Sequence, residues 1–321
     1  MPHATSLETF ASSGQAASVV VPAHNEQAVI GRFLDRLAPL VAQGEVVVYV
    51  VCNGCTDCTA EAASGRPGVY VSRLARAGKV EALREGDRLA GDLFPRLYLD
   101  ADIVVEAEAV RSVIDVLRTG VALAAAPALR VQTSGRPWLV RRYYDFVLAS
   151  PWATNALVGS GFYGLSRSGR ARFGEFPAVI NDDLFVRELF DVSERLSVAG
   201  TSFSIEAPFS TWALVKAKAR VNSGTRQVVK AKVGPGAPGR QTLSAHRGTK
   251  GPPSVASRAR RLSAMVFRRA WGRLRRPATW ASSFAHSWVR LGAVLLSWSY
   301  QVRGTQVAWH QDRTTRAVVR P

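Results

Sequence analysis

Two short β-branched runs, set between amphipathic stretches, constrain this chain more than any other feature. Ala17–Ala23 reads ASVVVPA and Val46–Cys52 reads VVVYVVC. Neither alternates polar with apolar residues, as a strand solvated on one face does. Continuous runs of this kind belong to strands covered on both faces, and helices packed on each side of a sheet supply that cover. Between the two runs, Val29, Ile30, Phe33, Leu34 and Leu37 fall on one helical face, with Asn25 placed to cap the helix. The alternation continues with a short strand at Val69–Ser72, a helix over about Gly78–Leu89, a strand at Leu97–Asp100 and a helix over about Glu106–Arg118. This order predicts an α/β fold with a doubly wound, mostly parallel, Rossmann-like sheet. Ligands of such sheets bind beyond the carboxyl ends of the strands. After Val121 the pattern is less regular, with a helix expected over Asp182–Phe190 and a strand over Thr201–Ala207.

Charge divides the chain differently. Residues 1–215 carry 20 Lys/Arg and 23 Asp/Glu, a net −3, while residues 216–321 carry 22 Lys/Arg and only Asp312 among acids, a net +21. The first part reads as a balanced globular body. The last reads as a basic extension suited to an anionic partner. Gly234–Pro253 is a Gly/Pro-rich linker, Ser257–Arg275 a basic amphipathic helix, and Trp280 to about Tyr300 a further helix. Residues 1–16 read as a flexible start with no secretory signal, and no segment reaches the roughly 18–20 apolar residues of a spanning helix. A cytoplasmic protein is expected, peripheral at the inner face of a membrane. Four units follow: residues 1–16, 17–120, 121–215 and 216–321. Cys52, Cys55 and Cys58 spell C-x-x-C-x-x-C. With no fourth thiolate and no well-spaced histidine, an iron–sulfur or zinc site is set aside.

Polar groups gather where the predicted strands end. Asp100 and Asp102 lie two apart, so in an extended segment both carboxylates face one side. Such a repelling pair suits a cation, and oxygen ligands suit Mg²⁺ or Mn²⁺; a solvated acid pair is the bland alternative. Pro22-Ala23-His24-Asn25-Glu26 follows the first strand, and Asn53-Gly54-Cys55-Thr56-Asp57 the second. Gly78-Lys79 opens a helix but is no Walker loop, because Arg73 and Val80 replace its first glycine and its hydroxyl. Lys79 reads as a phosphate contact or a solvated lysine. Asp182 and Asp183 read either as acids favoured at a helix start or as a general base.

In this order, the five segments resemble the family 2 glycosyltransferases of the GT-A fold, most strongly over residues 17–120 and more weakly to about 212. The resemblance implies an inverting hexosyltransferase-like enzyme that uses a nucleotide-diphosphate sugar and a divalent metal, Mg²⁺ or Mn²⁺. Pro22, Ala23, Glu26, Asn53 and Asp57 would line the nucleoside pocket, with Lys79 close by. Asp100 would contact ribose or the metal's surroundings, and Asp102 would hold the metal. Gly161, in Gly159-Ser160-Gly161-Phe162, would lie beneath the donor sugar. Asp183 would be the general base, preceded by its companion Asp182. Asn53 stands where the family commonly has an acid. The Q-x-x-R-W motif of processive synthases is missing, with Arg220–Gln227 in a comparable place, so one sugar per encounter is expected. The acceptor would be a carbohydrate, a lipid-linked molecule or a small molecule. For the basic extension, an anionic membrane surface or an anionic acceptor is preferred, with a solvated helix packed on the catalytic domain as the bland alternative; nucleic acid is disfavoured because no nucleic-acid motif accompanies the charge. The rival readings are a sugar-phosphate nucleotidyltransferase, disfavoured by PAHNE after the first strand, and a non-catalytic domain whose tail binds nucleic acid or membrane.

Overall fold

The computed structural model describes residues 16–150, 160–233 and 277–302. The expected flexible start, the linker at 234–253 and the basic helix at 257–275 lie outside the described residues.

Eight strands form one sheet: β1 (Ala17–Ala23), β2 (Val46–Asn53), β3 (Val69–Leu74), β4 (Arg96–Leu99), β5 (Val104–Val105), β6 (Ala124–Gln132), β7 (Phe162–Leu165) and β8 (Arg195–Glu206). Their order is β3-β2-β1-β4-β7-β6-β8-β5. The half built from β3, β2, β1 and β4 is parallel throughout, as the β-branched runs predict. Beyond β4 the sheet is mixed. β7 runs antiparallel to both β4 and β6, β8 runs parallel to β6, and β5 runs antiparallel to β8.

Helices cover both faces. On one face lie α1 (Ile30–Ala42), α2 (Thr59–Ala63) and α4 (Ala107–Arg118). Phe33, Leu37, Val110 and Ile114 from this layer pack on Val19, Val21, Val48 and Val50. On the other face α3 (Lys79–Ala90) and α7 (Asp182–Arg187) bring Leu83 and Phe185 against Val20, Val47 and Tyr98. Adjacent residues of β1 thus enter opposite cores, which is the pleat at work. A third cluster joins α5 (Trp138–Leu148), α8 (Thr211–Val233) and α9 (Pro277–Val302) through Val140, Tyr143, Leu214, Val215 and Val289. A single turn, α6 (Arg167–Arg170), follows β7.

Several local expectations change. Asn25 does not cap α1; it takes a left-handed conformation with φ 56°, and its Oδ1 accepts from the Thr56 amide at 2.8 Å. The helix starts five residues later, after Val29. The helix at Asp182 ends at Arg187 rather than Phe190, and the last strand begins at Arg195 rather than Thr201. β8 reaches back so far because its edge pairs with β6, a partner that local sequence does not disclose.

Candidate active site

The carboxyl ends of β1 and β2 are tied together by side chains that sequence reading assigns to a ligand. Asn53 is fully buried, and its Nδ2 donates to the Ala23 carbonyl at 2.9 Å. Its Oδ1 accepts from the Gly78 amide at 3.0 Å, so one amide fastens both strand ends to the start of α3. Gly54 permits this approach: with φ 58°, a Cβ there would lie 2.4 Å from the Ala77 nitrogen. Asp57 turns inward too, accepting from the amides of Thr59 at 3.1 Å and Gln27 at 3.2 Å. The Glu26 amide donates to Thr59 Oγ1 at 2.7 Å, and the Glu26 side chain is buried at the same edge. Pro22 and Ala23 are buried in the floor of this edge. Asn53 and Asp57 therefore act here as scaffold for the strand ends.

At the end of β4 the extended geometry stops one residue sooner than expected. Leu99 is the last strand residue, and Asp100–Ile103 form a turn in which the Ile103 amide faces the Asp100 carbonyl at 3.4 Å. Asp102 is consequently exposed, while Asp100 turns inward. Lys79, at the first position of α3, donates to Asp100 Oδ1 at 2.8 Å and to Asp182 Oδ1 at 3.1 Å. Asp182 is buried, and its other oxygen accepts from the Tyr163 hydroxyl at 3.0 Å. Both oxygens of Asp182 are thus engaged. Asp183, half-buried, is the carboxylate of this pair with access to solvent. It is oriented by two backbone donors, the Ser160 amide on Oδ2 at 2.8 Å and the Leu184 amide on Oδ1 at 2.7 Å.

The Ser160–Gly161 turn locks the two acidic segments together. Ser160 holds Asp183, and the Gly161 carbonyl accepts from the Asp100 amide at 2.8 Å. Both residues have positive φ, 60° and 101°. A Cβ on Gly161 would come within 2.9 Å of Ile103 Cγ2 and 3.2 Å of Asp100 Oδ2, so only glycine leaves this space open.

The electrostatics follow from this packing. Burial alone would push the Lys79 ammonium down, but Asp100, Asp182 and Asp183 outweigh it and hold Lys79 above the ordinary lysine range. Burial pushes Asp182 up; Lys79 opposes the rise, and Asp183 and Asp100 reinforce it. Burial and Asp182 together keep Tyr163 protonated, as its donor role requires.

Sequence reading missed the groups that close the site. Tyr163 looks like any strand aromatic, and only the β4–β7 pairing brings it beside Asp182. Helix α8 docks on the segment before Asp182. Asn181 Nδ2 donates to the Val221 carbonyl at 2.9 Å, and Gln227 Oε1 accepts from the Ile180 amide at 2.9 Å. Lys218, one turn before Val221, lies 5.5 Å and 5.6 Å from the ring centres of Tyr143 and Tyr144. Burial lowers its ammonium to about 8, and Asp183 partly offsets the fall. The weak sign of this in the sequence is the segment Arg220–Gln227.

The residues present fit a divalent metal of a particular kind. Among the described residues no cluster of three or more His, Cys, Asp or Glu forms a complete cage. Asp100, Asp182 and Asp183 all act on Lys79, and Lys218 lies near enough to Asp183 to feel its charge. Mg²⁺-type ions are commonly held by one or two carboxylates together with substrate phosphates and water. Exposed Asp102 and inward Asp100 match that donor set, with Asp100 shared with Lys79.

A parallel sheet whose strand ends carry an acidic turn, facing a second acidic segment across a glycine turn, has the GT-A glycosyltransferase architecture. Residues 18–168, just under half of the chain, match the family described as Glycosyl transferase family 2, which marks this span as a glycosyltransferase domain. Among solved structures it is similar to the mannosyltransferase PcManGT from Pyrobaculum calidifontis in complex with GDP-Man and Mn²⁺. That match has 16% identity, covers 89% of this chain and 79% of that one, and has a TM-score of 0.55. It is also similar to glucosyl-3-phosphoglycerate synthase from Mycobacterium tuberculosis in complex with phosphoglyceric acid, with 23% identity, 72% and 84% coverage and a TM-score of 0.48. No curated protein sequence matches the chain.

Proposed function

We propose that the protein transfers a single sugar from a nucleotide-diphosphate sugar to an acceptor hydroxyl, with inversion, using Asp183 as general base. The observation that carries this reading is the Lys79 bridge from Asp100 to Asp182, with Asp183 adjacent. It brings the strand edge that would receive the donor and the carboxylate that would receive a proton into one acidic centre.

In this reading the nucleoside lies over the edge built from Pro22, Ala23, Glu26 and the Asn53 scaffold. The donor sugar sits over the Ser160–Gly161 turn, where the missing Cβ of Gly161 lets Asp100 and Ile103 pack close beneath it. Asp102, with Asp100, would hold the divalent ion, which when bound neutralises charge on a diphosphate leaving group. Lys79 stays charged and fixes Asp100 and Asp182. Asp183 takes the proton of the acceptor hydroxyl as that oxygen attacks the anomeric carbon from the face opposite the diphosphate. One displacement of this kind inverts the centre. Because Asp183 is held by the Ser160 and Leu184 amides, its accessible edge is oriented before the acceptor arrives, and such positioned bases contribute about 10²–10⁴ in rate. The excess of acid over base supports a metal requirement, since a diphosphate entering without a cation would meet like charge.

The test is thermal stabilisation of the full chain by a panel of UDP-, GDP- and dTDP-sugars, with Mn²⁺, Mg²⁺ or EDTA. A donor at about 100 times its Kd stabilises by roughly 2.7 kcal/mol. Stabilisation by one nucleotide class, lost in EDTA and lost in Asp102→Asn, is the expected result. Donor binding indifferent to metal in both proteins would remove Asp102 from this role. Absence of any donor response in a cooperatively melting protein would favour the non-catalytic reading.

A further inference from the structure

Helix α9 has two faces of opposite character. Ser282, Ala285, Val289, Ala293 and Ser297 are buried. On this side His286 stacks on Tyr143 and Phe146 of α5, and Ser297 meets Ser223 of α8. The other face presents Trp280, Phe284, Trp288, Leu291 and Leu295, each between 48% and 61% exposed. At about 100° per residue these five fall within an arc of about 80°. The stripe runs for about 22 Å along the helix at the usual rise per residue. Single exposed apolar residues are ordinary on a protein surface, but a contiguous row of five large ones is not.

We propose that this face of α9 seats the protein on an anionic lipid surface, with the stripe lying in the headgroup layer. Composition and charge select this partner. Three of the five side chains are Trp or Phe, and such residues occupy the apolar face of interfacial helices. Neither α8 nor α9 contains an acidic residue, and residues 216–321 carry a net +21. Arg290, next to Leu291 in sequence, is exposed about 80° around the helix from the edge of the stripe. On α8, Lys216 sits 5.5 Å from the ring centre of exposed Trp212. Anionic headgroups therefore meet cations with no acid on these helices to repel them. No helix of the described residues is long and apolar enough to cross a membrane, and the buried side of α9 is committed to α5 and α8. The helix would therefore lie on the surface.

The measurement is flotation of the full-length protein with vesicles of phosphatidylcholine containing about 30% phosphatidylglycerol, or none, at about 0.1 M and 0.5 M salt. Co-flotation with the anionic vesicles at low salt, at least about tenfold weaker with neutral vesicles, is expected. Trp280→Ser/Trp288→Ser/Leu291→Ser should weaken partitioning at least about tenfold while its melting stays cooperative. Arg290→Glu/Lys216→Glu, which leaves the stripe intact, should weaken it in the anionic case only. Lack of flotation at low salt would overturn the proposal, as would equal partitioning by the stripe variant or binding to RNA without binding to vesicles. A dimer that the stripe variant turns into monomer, with vesicle binding unchanged, would assign the face to a second copy instead.

Discussion

Two buried ion clusters sit back to back in this molecule and are built as opposites. In one, Asp87 stands between two cations, Arg96 at 2.7 Å and Arg170 at 2.7 Å, and accepts from the Tyr98 hydroxyl at 2.6 Å. In the other, Lys79 stands between two anions, Asp100 and Asp182, and Tyr163 donates to Asp182. The tyrosines face each other across the β4–β7 pair and stack with centroids 4.9 Å apart. The difference lies in what each cluster leaves over. The Asp87 cluster engages both oxygens of its carboxylate and is largely enclosed, with Asp87 11% exposed. The Lys79 cluster leaves acid in excess, with Asp183 half-buried and Asp102 exposed. A largely enclosed cluster with cation in excess holds a fold together. One with acid in excess and an accessible carboxylate at a sheet edge is suited to a cation and a polar substrate.

The largest effect that would sharpen this contrast is catalytic. Asp183→Asn should lower turnover by about 10²–10⁴ while leaving donor-induced stabilisation intact. Wild-type turnover in this variant would break the assignment of the base. The next largest is thermodynamic. Asp87→Asn leaves Arg96 and Arg170 without their carboxylate and should cost about 3–5 kcal/mol, read as a lowered denaturant midpoint. Its effect on donor affinity should be slight. A large loss of donor affinity at unchanged stability would show that the two clusters are not separable.

Lys79→Met gives a smaller and more conditional effect. Removing the ammonium leaves Asp100 and Asp182 facing one another, at a cost of about 1–3 kcal/mol. The site then has a stronger demand for a cation, so Mn²⁺ should recover part of the lost stability in this variant. The Asp87→Asn variant has no such excess of acid and should gain nothing from the metal beyond what wild type gains. Equal responses to Mn²⁺ would end the distinction between the cation-rich cluster and the acid-rich one.

Much of this arrangement is legible in the chain. The β-branched runs specify the parallel half of the sheet, because only two-sided cover tolerates them. The order of acids and small residues at the strand ends identifies which edge is polar. The tertiary partners are not legible. Tyr163 enters the site through antiparallel pairing, a long-range event that β7 residues do not announce locally. Asn53 looks like a nucleoside contact, yet its amide is taken by backbone from β1 and α3 because a tight turn at Gly54 draws them together. Asp100 and Asp102 look equivalent at a spacing of two, and the turn after Leu99 separates an inward carboxylate from an exposed one. Lys218 carries no motif at all. It reaches the neighbourhood of Asp183 because α8 docks on Asn181.

The smallest expected effect tests the helical layer against the acidic centre. His286, stacked between α5 and α9, is lowered to about 4 by burial, with Arg290 and Lys218 adding to the fall. In the unfolded chain a histidine titrates near 6.5. Between these values the unfolded state binds the proton and the folded state does not. Stability contributed at this position is therefore present above about 6.5 and lost as pH falls toward 4. His286→Phe keeps the stacking and removes the proton site, so its stability should decline less than wild type across that interval, by about 1–2 kcal/mol after allowance for the ring's partial exposure. Melting temperatures of both proteins at matched pH measure the difference. Among the described residues α9 packs chiefly on α5 and α8, so donor-induced stabilisation at neutral pH should be the same in both. If His286→Phe and wild type lose stability in parallel between pH 6.5 and 4, protonation of His286 contributes none of the acid sensitivity.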